Sequence, residues 1–151
     1  MQRRTLLQAA VVAGTGLAAG NGLLWSGPAR AATSPFEAQS VKEVLQALTI
    51  SAPPENSTAL TLTVPPIAED GGLIPVTVTS KLEGTTQISL LVEKNLMPLA
   101  AIFNFPEGTK AEASTRIKMR ETSAVIAIAK VGDKTYQTQQ EIKVTVGGCG
   151  G

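Results

Sequence analysis

One side chain stands apart in its chemistry: Cys149, in the segment Gly147-Gly148-Cys149-Gly150-Gly151. It is the only cysteine among the 151 residues, and the chain has no histidine. A thiol acts as its thiolate, a nucleophile that also forms sulfur–sulfur bonds. A lone cysteine excludes an intrachain disulfide. Without histidine there is no His-dependent triad and no ordinary Cys/His zinc site. Glycines on both sides leave this thiol without anchoring side chains and with wide conformational freedom. Three steps of such a chain, from Val146 to Cys149, sample about 10 Å. Catalysis needs groups held in fixed mutual geometry, which a glycine tether does not provide. A carrier needs the opposite: a slim arm that holds its substrate covalently and threads into the sites of other proteins.

The local sequence offers no activator for the thiol. The nearest cation is Lys143, and the terminal carboxylate of Gly151 disfavours a thiolate. The isolated thiol is therefore expected to be ordinary in acidity, with a partner's pocket activating it. The plainer alternative is an unstructured glycine-rich end with an incidental cysteine. Against it stand the uniqueness of the thiol, its symmetric flanks and the compartment predicted by the other end of the chain.

That other end begins MQRRTLLQAA, runs through an Ala-, Val-, Gly- and Leu-rich stretch and reaches PARAAT. A charged start, an apolar middle and a small-residue cleavage motif form an export signal. Ala29-Arg30-Ala31 predicts cleavage after Ala31. Arg3-Arg4 before Leu6-Leu7 resembles the twin-arginine signal, which exports folded cargo to the periplasm. The glycines of the apolar middle argue against an uncleaved membrane anchor.

Removing residues 1–31 takes away Arg3, Arg4 and Arg30 and no acid, so 13 basic and 12 acidic residues become 10 and 12. Trp25 leaves as well. The remainder has no basic patch or aromatic platform for nucleic acid. A single free thiol in an oxidising compartment needs a reason to be kept.

The elements that must position the tail follow a period change. Residues 34–49 predict one helix, with Ser34 and Glu37 as a capping box and Pro35 in the first turn. Val41, Val44, Leu45 and Leu48 make its apolar face, and Pro53-Pro54 stop it. Beyond that the period is two. Strands are predicted at 59–64, 73–80, 87–93, 99–105, 112–120, 123–131 and 135–146. Turns are expected at Glu69-Asp70-Gly71-Gly72, Gly84, Pro106-Glu107-Gly108 and Gly132-Asp133-Lys134. Within 112–120, either Ile117 and Met119 point inward or Ala113, Thr115 and Ile117 alternate. About seven short strands behind one helix predict an all-β, immunoglobulin-like antiparallel β-sandwich. Pro75 places the 73–80 strand at an edge, or starts it late. Strand 123–131 is apolar on both faces, with Val125 and Val131 on one and Ile126 and Ile128 on the other. Its outer face is covered either by the 34–49 helix or by a partner subunit.

The ending EIKVTVGGCGG resembles the carboxyl-terminal swinging arm of the SoxY family, sulfur carriers of the bacterial thiosulfate-oxidising Sox system. AEDGGLIPVTVTS (68–80), LLVEKNLMPLAAIFNF (90–105) and STRIKMRETSAVIAIAKVGDKTYQ (114–137) are similar to that family's core. The resemblance implies three parts: a twin-arginine signal at 1–31, a helix plus β-sandwich at 32–146 and a carrier arm at 147–151. It implies Cys149 as the covalent attachment point and Gly147, Gly148, Gly150 and Gly151 as the flexible arm. It implies a non-enzymatic periplasmic subunit without metal or cofactor. Its partner is SoxZ, in a heterodimer or a heterotetramer. Transient partners are the c-type cytochrome SoxAX, the manganese hydrolase SoxB and, where present, the sulfane dehydrogenase SoxCD, with no nucleic acid and no stable membrane association.

Two rivals belong to other classes. A ubiquitin-like sulfur donor also ends in Gly-Gly but carries sulfur on its terminal carboxylate and works in the cytoplasm; the leader and the extra thiol argue against it. A structural protein could form an intermolecular disulfide through Cys149. Prenylation is excluded because only Gly150 and Gly151 follow the cysteine, where that signal needs three residues.

Overall fold

The computed structural model describes residues 34–147. The expected export signal, with Arg3 and Arg4, and the arm residues Gly148, Cys149, Gly150 and Gly151 lie outside them. The described chain is an immunoglobulin-like β-sandwich with one short helix. Its strands are β1 (Glu55–Asn56), β2 (Leu60–Thr63), β3 (Ile67–Asp70), β4 (Ile74–Ser80), β5 (Thr85–Val92), β6 (Leu99–Asn104), β7 (Glu112–Ile117), β8 (Ser123–Val131) and β9 (Lys134–Val146). The larger sheet runs β1-β9-β8-β5-β6, with β3 also on β9; the smaller runs β2-β4-β7.

The expected helix over 34–49 is two pieces. Pro35–Glu37 is one 3-10 turn, and α1 spans Val41–Ala47. The motif Ser-x-x-Glu occurs twice here, and the second copy caps the helix. Ser40 Oγ accepts from the Glu43 N–H at 3.2 Å, and Glu43 Oε2 accepts from the Gln39 N–H at 2.9 Å. Ser34 makes no side-chain cap. A cap residue must be extended, and Ser40 is, at φ −143 and ψ 152. That conformation divides what periodicity alone joins.

The helix stops well before Pro53. Thr49 takes φ 57, its N–H donates to Gln46 O, and the Ile50 N–H donates to Leu45 O at 2.8 Å. This is a Schellman ending with a β-branched residue where glycine is usual. A non-glycine residue in this region costs on the order of 1 kcal/mol or more. Thr49→Gly is expected to stabilise the domain by about 1 kcal/mol, read as a rise in the urea midpoint.

Two apolar clusters hold the fold. Between the sheets, Leu60, Leu62, Ile74, Val76 and Val78 meet Ile88, Leu90, Val92, Val125, Ala127 and Ile142. On the other face of the larger sheet, Val44 of α1 packs with Leu91, Leu99, Ile126 and Ile128. This decides the two-faced apolar pattern of β8: its outer face is covered by the chain's own helix. Burying Val44 completely contributes about 1.5–3 kcal/mol to that seal.

Three strand expectations change. β4 is the central strand of the smaller sheet, not an edge. Pro75 is tolerated because β2 pairs only with Thr77–Ser80, so β4 has a single neighbour, β7, at Pro75. β7 ends at Ile117, although Ile117 and Met119 are both buried, as the first of the two expected patterns has it. Finally, β1 and β3 are additional strands, both parallel to β9. Glu69-Asp70, read as turn residues, close β3, and the turn begins at Gly71.

Candidate functional site

The base of the expected arm is the end of β9, and it is tightly held. β3 pairs along it, with Ile67 opposite Lys143, Ala68 opposite Val144 and Asp70 opposite Val146. The Lys143 N–H donates to Pro66 O at 3.0 Å, and the Gly71 N–H donates to Val146 O at 2.8 Å. Thr145 Oγ1 donates to Glu69 O at 2.9 Å. From the other side, Thr122 Oγ1 accepts from the Val144 N–H at 3.0 Å. Ile142, wholly buried, anchors the strand in the core. These bonds satisfy the backbone of β9 almost to its last residue.

Gly147 is the one arm residue that the structure describes. It is exposed, and it lies against the main chain of Arg120: a Cβ at this position would overlap the Arg120 carbonyl oxygen. The arm was expected to begin here. Its first glycine makes a backbone contact at which any added Cβ would force the chain or Arg120 to shift. Gly84, Gly108 and Gly132 differ from it, because they serve turns through positive φ.

Segment 118–120 is itself tied down. Asn95 Nδ2 donates to Lys118 O at 2.7 Å, and Asn95 Oδ1 accepts from the Arg120 N–H at 3.3 Å. The Met119 N–H donates to Gly71 O at 2.7 Å, so the β3–β4 turn bonds both to β9 and to this segment. The turn is stabilised by Asp70 Oδ1, which accepts from the Gly72 N–H at 2.7 Å.

These connected segments carry exposed apolar side chains. Val146 is 64% exposed, Leu73 63%, and Leu96 and Met97 57% each, and Ile67 stands on the strand beside β9. Single exposed apolar residues of this kind are normal on a protein surface. Sequence reasoning placed the candidate partner surface on strand 123–131 and the helix, whose apolar faces pack against each other in the structure. Among the described residues, no helix is long and apolar enough to cross a membrane.

The family described as "Sulfur oxidation protein SoxY" matches residues 45–149, a span that takes in the sandwich and Cys149. The chain belongs to the SoxY family. The structure of the sulfur carrier protein SoxY from Chlorobium limicola f thiosulfatophilum aligns with a TM-score of 0.66 and 34% identity, covering 71% of this chain and 97% of that one. A lytic polysaccharide monooxygenase from Jonesia denitrificans aligns at 10% identity over 72% of this chain and 73% of its own, with a TM-score of 0.37. That level carries no functional argument. A search of curated proteins found no match.

Proposed function

We propose that the chain is a periplasmic sulfur carrier, with Cys149 as the covalent attachment point and residues 147–151 as the arm that presents it. The observation that carries this reading is the family match, which runs through the sandwich to the only cysteine in the protein. The Chlorobium relative is described as a sulfur carrier. The structure adds a compatible base, a strand end held on both sides from which a short thiol-bearing segment continues.

In this reading the carrier travels folded through the twin-arginine pathway with SoxZ, and the two form a heterodimer or a heterotetramer. SoxAX couples the Cys149 thiolate to the sulfane sulfur of thiosulfate. A sulfur–sulfur bond forms, two electrons pass to c-type haem and a cysteine S-thiosulfonate results. SoxB hydrolyses the terminal sulfone: water adds one oxygen to make sulfate, and the sulfane sulfur stays on Cys149. SoxCD, where present, withdraws electrons from that sulfur while water supplies its oxygens, and a second hydrolysis releases it as sulfate and frees the thiol. In this scheme the chain supplies one nucleophilic sulfur, whose oxidation to the sulfur–sulfur bond gives its electrons to the cytochrome, and the delivery of that sulfur.

The test is the intact mass of the protein purified from its own host grown on thiosulfate, with and without reductant. Reductant-sensitive additions of sulfur or thiosulfate mapped to Cys149 are expected. A thiol that is always unmodified, or found only as a Cys149-linked dimer, would overturn the carrier reading.

A further inference from the structure

We infer that Gly147 is a positioning residue, seated on the Arg120 carbonyl with Asn95 holding that seat, so that the direction in which the chain leaves β9 is set at Gly147. This rests on the carrier reading.

The inference starts from space. A Cβ at Gly147 would overlap the Arg120 oxygen and lie 3.2 Å from the Arg120 carbonyl carbon. The obstacle is backbone, so no rotamer change removes it. Nor is this backbone free to yield. The Arg120 N–H is bonded to Asn95 Oδ1, and Asn95 Nδ2 holds Lys118 O. Between them, Met119 is wholly buried and bonded through its N–H to Gly71 O. Thr122, on the far side, is bonded to Val144. Upstream of Gly147, Val146 O is held by the Gly71 N–H. A side chain at 147 meets a fixed wall on one side and a fixed strand behind, and the tail must leave in another direction.

Direction matters because the tether is short. From a fixed Gly147, the Cα of Cys149 can reach about 7 Å. A pivot at Val146 would allow roughly 10 Å. Such a short arm has little slack to recover from a wrong exit angle, and an error of about 1 Å in reactant placement can cost on the order of a hundredfold in rate. Gly147 therefore sets the aim of the arm, and Asn95 acts through it by holding the wall.

The experiment uses the full chain, with any co-purifying partner, as wild type, Gly147→Ala, Gly148→Ala, Asn95→Ala and Asn95→Asp. The first readout is the distance distribution between nitroxides on Cys149 and on a Thr86→Cys site, which lies on an exposed position of β5. Gly147→Ala is expected to shift the mean by about 3 Å or more, and Gly148→Ala by less. The second readout is the initial rate of thiosulfate loading by host extract, set against alkylation by iodoacetamide, which needs no docking. Gly147→Ala is expected to load roughly 10–100-fold more slowly, with alkylation changed by less than about twofold. Asn95→Ala should fall in the same direction. Asn95→Asp keeps the acceptor for the Arg120 N–H and should recover part of the loss. A wild-type distance distribution in Gly147→Ala, or equal effects of the two glycine variants on distance and loading, would overturn the inference. A distance shift in Gly147→Ala together with a wild-type protein that never loads would sink the carrier reading and leave the seat standing.

Discussion

Cys149→Ser is expected to abolish every reductant-sensitive mass addition while leaving the fold intact. A serine hydroxyl is close to the thiol in size but is not a thiolate near neutral pH, and oxygen cannot form the sulfur–sulfur bond that holds the cargo. The loss should be complete, because the chain has no second cysteine to substitute. Stability should change by less than about 0.5 kcal/mol, since the substitution exchanges one sulfur for an oxygen beyond the end of β9 at Val146. Intact mass and a urea midpoint on the same preparation measure both. Deleting Gly151 gives the contrast. It would eliminate a donor that carries sulfur on its terminal carboxylate but only perturb a cysteine carrier. Retention of sulfur by Cys149→Ser, or its loss on deleting Gly151 alone, would transfer the chemistry to the carboxylate.

Ile142→Ala is expected to cost about 2–5 kcal/mol, the range for emptying a large aliphatic site in a packed core. Ile142 has no exposure and lies in the cluster between the sheets, opposite Ser123 in the β8–β9 register. Beyond it β9 loses β8 as a partner and relies on β3 and Thr122. A cavity here loosens the core and the last anchored point before the arm together. In a domain of this size the melting temperature should drop by roughly 10 °C or more. Val146→Ala, at an exposed site on the same strand, should change stability by less than about 0.5 kcal/mol. A loss below about 1 kcal/mol for Ile142→Ala would mean that β9 does not close the core as described.

Much of the sandwich was legible in the chain because half-buried strands alternate at period two, and LTLT and IPVTVTS show that period plainly. The misreadings share one cause. The helix was drawn too long because apolar spacing does not reveal that Ser40 is extended to cap Glu43. β1 and β3 were missed because Glu55-Asn56 and Ile67–Asp70 are short and show no apolar alternation, and gain strand geometry only beside β9. Pro75 was read as marking an edge strand or a late start because a sequence does not show how far β2 extends along β4.

The same division holds at the site. Sequence alone determined that the protein has one thiol, that glycines surround it, and that no histidine or second cysteine could share its chemistry, since these are facts of composition. It also contained the family resemblance, which is local in the chain. Only the tertiary structure decided that Ile126 and Ile128 are sealed by α1, and that β3 and Thr122 hold the end of β9. The requirement for glycine at 147 likewise appears only once Arg120 is placed beside it. Asn95, Arg120 and Gly147 are far apart in sequence, and contacts among distant residues exist only after the sheets have packed.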